Sequence, residues 1–79
     1  MDIMKIREAR LASPFKPFRL IMQNGNNLPV ERASYLAIAP NGRRLAYAAT
    51  MGGFEFLAVE DVVEVIIDEN LKTPWRQAR

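Results

Sequence analysis

The chain contains no cysteine and no histidine. Without cysteine, neither a disulfide nor a thiolate metal site can form. Without histidine, the chain lacks the side chain that most often serves enzymes as a general base and most often binds metals. We therefore expect no metal site and no other cofactor.

The remaining reactive side chains do not suggest catalysis either. An alcohol nucleophile needs an adjacent base, and no imidazole is available to activate any hydroxyl. Glu60 and Asp61 are neighbours in sequence, so in a strand or turn their carboxylates would not converge as an acid–base pair. Gly52-Gly53 predicts a turn and not a phosphate loop, because no helix is predicted to begin after it. The serine and threonine side chains are Ser13, Ser34, Thr50 and Thr73. The sequence predicts a protein that is not an enzyme.

Long apolar runs are also missing. None approaches the ~20 residues needed to cross a bilayer, and the first ten residues lack the apolar segment of a secretory signal. We expect a cytoplasmic protein with no membrane partner. A chain of 79 residues forms one domain with a small core. Self-association would bury further apolar surface.

Charge is unevenly distributed along the chain, although the net charge is only +2. Residues 1–19 carry +3, residues 20–54 carry +2, and residues 71–79 carry +3. Residues 55–70 hold six carboxylates and no cation. Such segregation favours pairing of the acidic segment with basic segments, within one subunit or between subunits. Solvated faces that keep the protein soluble are an equally good explanation.

The first third of the chain predicts a short helix and a stiff connector. Good helix formers follow Asp2, so we expect a helix over about 2–12, and Ser13-Pro14 ends it. The PFKPF segment then forms an extended connector, with Phe15 and Phe18 anchored to the core. A proline-rich ligand motif is the alternative interpretation of PFKPF.

The rest of the chain predicts short strands. Phe18 to Gln23 alternates apolar and other residues, and Asn24-Gly25 is a strong hairpin signal. Pro29 cannot donate to a ladder, so the second strand lies at an edge or its proline nitrogen faces outward. Glu60-Asp61 interrupts the apolar run from Phe54 to Asp68 and divides it into two strands. The predicted strands are 18–23, 27–32, 35–39, 43–50, 54–57 and 62–67.

A helix followed by five or six short strands with tight turns predicts a mainly β fold. We expect a small, strongly bent antiparallel barrel with a short N-terminal helix. Its single domain would comprise the helix at about 2–12, a barrel at about 17–68 and a polar tail at 69–79.

The order of these elements resembles that of the Sm-like family, in particular its Hfq-type bacterial RNA chaperones, and thus an SH3-like or Sm-like barrel. The similarity covers about 17–67, and it depends on FRLIMQNGNNL at 18–28 and FEFLAVEDVVEVI at 54–66. The PFKPF segment with the strand and turn after it also resembles a group of short bacterial proteins that have no established activity.

The residues that bind RNA in that family do not match. Hfq-type members bind uridines with a Tyr-Lys-His run, which falls here on Glu55, Phe56 and Leu57. The family's Phe-Asp pair falls on Ala33-Ser34. The resemblance therefore implies the barrel without its RNA pocket.

Basic residues at a turn and in the tail are the candidates for nucleic-acid contact. A Trp flanked by cations can stack on a base while the cations contact phosphates. The alternative is a tail that covers apolar surface with Trp75 or is disordered. The candidates are Arg43, Arg44, Lys72, Trp75, Arg76 and Arg79.

Open strand edges predict a protein-binding or self-assembling module, because an edge can pair with a strand of another chain. Sm-like rings join their subunits in this way. The resemblance implies a homo-oligomer, although a different protein partner is also possible. The alternative function is RNA binding through the basic ends. The predicted subunit contacts are Leu45, Tyr47, Ala49, Phe54 and Phe56.

Overall fold

The computed structural model describes residues 3–48 and 52–70. Within these residues the chain forms one α-helix, six β-strands and two single-turn 3-10 helices. The 3-10 helices are Ala33–Tyr35 and Val59–Asp61. The helix and strands are α1 Ile3–Leu11, β1 Phe18–Met22, β2 Asn27–Val30, β3 Leu36–Ile38, β4 Arg44–Ala48, β5 Phe54–Ala58 and β6 Val62–Ile67.

The six strands form two antiparallel sheets of three strands each. The strand order is β2-β1-β6 in the first sheet and β3-β4-β5 in the second. The prediction of a mainly β fold with a short N-terminal helix is confirmed. The predicted small, strongly bent barrel is not confirmed, because the described strands pair in two separate sheets that share no strand. One 3-10 turn lies between β2 and β3 and the other between β5 and β6, where the chain passes between the two sheets.

β1 is the central strand of the first sheet. Its burial alternates as predicted, with Phe18, Leu20 and Met22 in the core. The Asn-Gly turn joins it to β2, and the Gly25 N–H donates to the Met22 carbonyl at 2.9 Å. Gly25 has a φ of 91°, a value that suits glycine. β2 is an edge strand, which is one of the two placements that its proline allows.

α1 packs on this sheet through very few side chains. Ile6 and Ala9 are its buried residues, and the Arg10 side chain donates to the Leu36 carbonyl. The helix ends before Ser13-Pro14, as predicted. Beyond it, the Phe15 ring lies 5.8 Å from the Phe18 ring, so the connector is anchored to the core as expected.

A tyrosine joins the two sheets. The Tyr47 hydroxyl on β4 donates to the Pro29 carbonyl on β2 at 2.7 Å. Burial is the largest cause that raises the pKa of Tyr47 above its usual value. Electrostatic interactions with Glu55 and with Tyr35 raise it further. The phenol therefore stays protonated and keeps donating its proton to the first sheet.

We expect Tyr47→Phe to lower the free energy of unfolding by about 1 kcal/mol, because it removes this hydrogen bond. A raised pKa in the folded state means that the stabilisation is complete below the ordinary tyrosine pKa of about 10 and is lost as pH rises through the higher folded value. Urea unfolding at a series of pH values measures both effects. The variant should show a shallower loss of stability in the alkaline range.

Tyr35→Phe is the matched control for this prediction. Tyr35 is half-buried and lies in the 3-10 turn before β3. It loses the same hydroxyl without breaking the contact between the sheets. If the free energy of unfolding of the Tyr47→Phe chain and of the unmodified chain falls equally as pH rises above about 10, the raised pKa of Tyr47 does not contribute to stability.

Candidate interaction surface

β5 lies at an edge of the second sheet and exposes two large apolar side chains. Phe54 is 72% exposed and Phe56 is 78% exposed. Alternate residues of a strand share one face, so the two rings project from the same side of the sheet. Exposed apolar side chains that form a contiguous patch mark interaction sites in soluble proteins.

The residues across the sheet extend this surface. On β4, Ala46 lies opposite Phe56 and Ala48 lies opposite Phe54, while Ala37 on β3 lies opposite Ala46. Directly paired residues lie on the same face of a sheet. The three alanines and two phenylalanines therefore form one apolar patch, bordered on β4 by Arg44, and we call this patch the outer face. Its small residues leave the backbone of β4 accessible to a flat partner.

The other face of the second sheet belongs to the core. Leu45 is 1% exposed and Tyr47 is 3% exposed, so their side chains are unavailable to a second subunit. β4 also has β3 on one side and β5 on the other, which occupies both of its edges. Of the predicted contacts, Phe54 and Phe56 are on the surface, Leu45 and Tyr47 lie in the core, and Ala49 is outside the described residues.

β6 provides a second edge with exposed apolar residues. It ends the strand order of the first sheet, with β1 as its neighbour. Val63, Ile66 and Ile67 are each 40% exposed or more. Both strands of the apolar stretch at 54–67 thus lie at sheet edges, on different sheets.

A cleft of about 440 Å³ separates β5 from the β1–β2 hairpin. We call it the hairpin cleft. Apolar groups line part of it, and the exposed carboxylates of Glu55 and Asp61 stand at its wall. Among the described residues, its lining includes no Lys or Arg. The lining residues are Met22, Gln23, Asn24, Asn26, Leu28, Glu55, Phe56, Leu57, Ala58 and Asp61.

Two ion pairs connect the basic N-terminal stretch with the end of the acidic segment. Arg19 Nε lies 3.1 Å from Asp68 Oδ2, and Arg19 also donates to Asn27 at 3.2 Å. Lys16 Nζ lies 3.8 Å from Glu69 Oε2. The expected pairing of opposite charges within a subunit therefore occurs at this end of the segment.

The other four acids of the segment are arranged differently. All four side chains are exposed, and within residues 3–48 and 52–70 none of them lies within ion-pair distance of a cation. A negative surface therefore follows β5, the 3-10 turn and the start of β6. The four acids are Glu55, Glu60, Asp61 and Glu64.

The candidates for nucleic-acid contact are only partly described. Arg43 and Arg44 are exposed and line an open cavity of about 610 Å³, together with Glu60. The Arg43 N–H donates to the Asn41 side chain at 2.9 Å, which fixes the turn before β4. Lys72, Trp75, Arg76 and Arg79 lie outside the described residues.

Sequence reasoning selected Phe54 and Phe56 but missed the hairpin cleft. The Glu-Asp break and the Asn-Gly hairpin were each visible as turns, yet nothing local indicated that they lie side by side. The structure brings them together because Met22 pairs with Val62 and the Gln23 N–H donates to the Asp61 carbonyl at 2.7 Å.

Comparison of the chain with protein-family models, with curated proteins and with solved structures finds no match. Among the described residues, no helix has the length and apolar character required to span a membrane.

Proposed function

We propose that this protein is a non-enzymatic module that binds a second copy of itself through β5 and the outer face. The observation that carries the proposal is the exposure of Phe54 and Phe56 on a strand at the edge of its sheet. Burial of one phenylalanine contributes about 1.5–3 kcal/mol. Exposure of the two rings to water is unfavourable, and association with a second copy would bury them.

The edge of β5 adds directionality to the apolar contact. Within the described residues β5 pairs with β4 alone, so the backbone groups on its other side can accept a strand. Backbone pairing sets the register, while the two rings and the alanines supply the apolar area. A stable interface buries about 800 Å² on each partner, so the contact must extend beyond the two rings to the rest of the outer face.

In this proposal the two sheets act together as an Sm-like barrel in the cytoplasm. Support comes from the order of the elements, with a helix first and a 3-10 turn between the last two strands. The Tyr47–Pro29 hydrogen bond also holds the sheets together across the core. Sm-like subunits assemble through strand edges, which is the same mode of contact.

The test is the dependence of molecular mass on concentration, measured by sedimentation equilibrium. We expect the unmodified chain to associate, and Phe56→Glu to weaken the association more than tenfold, since about 1.4 kcal/mol corresponds to each factor of ten. A charged side chain at the centre of the outer face resists desolvation by a partner. Pairing with Arg44 on the same face would not offset this cost, because both charges would have to leave water.

Val63→Glu is the matched control, because Val63 is 53% exposed on β6, which belongs to the other sheet. It should associate as the unmodified chain does. Circular dichroism confirms that both variants are folded. A chain that stays monomeric at the highest concentration, or a Phe56→Glu variant that associates normally, would rule out the proposal.

RNA binding is the second candidate function, and the exposure of Arg43 and Arg44 beside an open cavity favours it. Filter binding of single-stranded RNA at several salt concentrations distinguishes the two candidates. Tight binding would support RNA as the ligand if the logarithm of the association constant falls linearly with the logarithm of the salt concentration. The binding should also be lost in the Arg43→Ala/Arg44→Ala variant.

A further inference from the structure

We propose that the hairpin cleft receives the C-terminal segment, residues 71–79, of a second copy of the chain. The inference rests on the proposed self-association and names the segment that completes the contact. It also gives Glu55 and Asp61 a role in binding, because the contact through the outer face does not involve these two carboxylates.

The chemistry of the cleft favours a segment that is both apolar and cationic. Leu28, Leu57 and the exposed ring of Phe56 provide apolar surface along its length. Glu55 and Asp61 place two negative charges at its wall, with no cation among the described residues that line it. A binding partner must satisfy both features, because an apolar peptide alone would leave the two carboxylates facing a drier environment.

Residues 71–79, LKTPWRQAR, have this composition. The segment carries Lys72, Arg76 and Arg79, no acidic side chain, and the single tryptophan of the chain at position 75. Complementary charge steers such a segment to the cleft and fixes its orientation. Trp75 can stack on the ring of Phe56, and an adjacent guanidinium can lie over the same face.

The position of the chain end argues for a second copy as the source of this segment. Phe18 pairs with Ile67 at one end of the first sheet, and Met22 pairs with Val62 at the other. The cleft lies at the Met22 end, whereas the described chain leaves at the Phe18 end, where the Asp68 N–H donates to the Pro17 carbonyl at 2.8 Å.

The length of β6 sets the distance that the segment would have to cover within its own subunit. At 3.3 Å per residue, the path from Asp68 back to Val62 is about 20 Å. Trp75 follows Asp68 by seven residues, about 24 Å at full extension, but Glu69 and Asn70 lie in a turn and do not contribute their full length. The tail would have to reverse its direction and then lie fully extended to bring its own Trp75 to the cleft, which disfavours docking within one subunit. The tail of a neighbouring copy has no such restriction.

Tryptophan fluorescence tests the inference directly, because Trp75 is the sole tryptophan. As protein concentration rises, we expect the emission to shift to the blue and acrylamide quenching to fall. Both changes should follow the increase in mass seen by sedimentation. The midpoint of the blue shift should move to a higher protein concentration as salt is added, because salt screens the attraction between the basic tail and the two carboxylates.

Charge reversal in the cleft should abolish this signal. In the Glu55→Lys/Asp61→Lys variant we expect Trp75 to remain exposed to quencher, with an apparent affinity at least about tenfold weaker. The matched control is Glu60→Lys/Glu64→Lys, which makes the same change of charge at exposed positions that do not line the cleft. This control should retain the blue shift.

A mixing experiment shows whether the segment comes from another copy. One chain carries Trp75→Phe and keeps a normal cleft, and the other carries Glu55→Lys/Asp61→Lys and keeps a normal tail. All fluorescence then comes from the second chain. We expect the first chain, added in excess, to restore protection of Trp75, because its cleft can receive the tail that the altered cleft rejects.

The outcomes separate this inference from the proposed function. If the unmodified chain associates while Trp75 stays exposed, the tail does not dock and the inference fails, but association through β5 stands. Protection of Trp75 in a monomer would also overturn it, because the tail would then pack on its own subunit. A monomer at every concentration would overturn both proposals.

Discussion

Phe18→Ala should lower the free energy of unfolding by about 3–5 kcal/mol, the usual cost of deleting a buried phenylalanine ring. Phe18 is completely buried, and its strand lies between β2 and β6, so its neighbours are fixed on both sides. It pairs with Val30 and with Ile67, and Phe15 lies against its ring. Little can move in to fill the cavity that the substitution would leave.

For a chain of this size, the total stability is on the order of 5–10 kcal/mol. The variant would therefore lose a large share of it and be partly unfolded at moderate urea concentrations. Urea titration followed by circular dichroism measures the change. Phe54→Ala is the matched control, since it deletes the same ring from a position that is largely exposed. Measured on the monomer, its cost should be within about 0.5 kcal/mol. Similar losses in the two variants would contradict the placement of the core.

Ile6→Ala should lower the free energy of unfolding by about 2–5 kcal/mol and release α1 from the sheets. A helix of nine residues is only marginally stable in water, so α1 depends on its contacts with the core. Those contacts are few, because Ile6 and Ala9 are its buried residues. Alanine at position 6 truncates the larger of the two buried side chains of the helix.

Leu11→Ala is the matched control for Ile6→Ala, because Leu11 is 64% exposed on the same helix. It should leave both the stability and the helical signal nearly unchanged. Hydrogen exchange adds a second measurement: the amides of α1 should lose protection in Ile6→Ala, while those of β1 keep more of theirs. Uniform protection across α1 and β1 in the variant would show that the helix does not open separately.

Local features were predictable where a few adjacent residues determine them. Alternation identified the buried side of β1, Asn24-Gly25 located the hairpin, and Pro29 indicated an edge position for β2. The break at Glu60-Asp61 became the 3-10 turn between β5 and β6. Each of these features depends on backbone preferences that act within about four residues.

Features that depend on distant residues were not predictable in the same way. Alternation grouped Leu45 with Tyr47, but it could not tell that their side faces the core, since alanines on the opposite side are also apolar. The Tyr47–Pro29 hydrogen bond joins residues on different sheets. The division into two sheets follows from which strands pair, and a period of two residues carries no information about a strand's partner.

The hairpin cleft is the clearest case of this limit. Glu55 and Asp61 are six positions apart, on β5 and in the turn after it, and they approach the hairpin only through the pairing of β1 with β6. Their charge was evident from the sequence. Part of the apolar lining, Phe56 and Leu57, is adjacent to them in the sequence, but Met22 and Leu28 come from a hairpin about thirty residues earlier in the chain.

The division of the strands into two sheets leaves four sheet edges, and only two of them are protected against uncontrolled pairing. β2 is blocked by Pro29, and β3 is just three residues long. β5 and β6 have neither protection, and both carry exposed apolar side chains. The exposed acids from Glu55 to Glu64 lie along these two strands and the turn between them. If the chain associates as proposed, the same carboxylates would oppose indiscriminate pairing of the two edges.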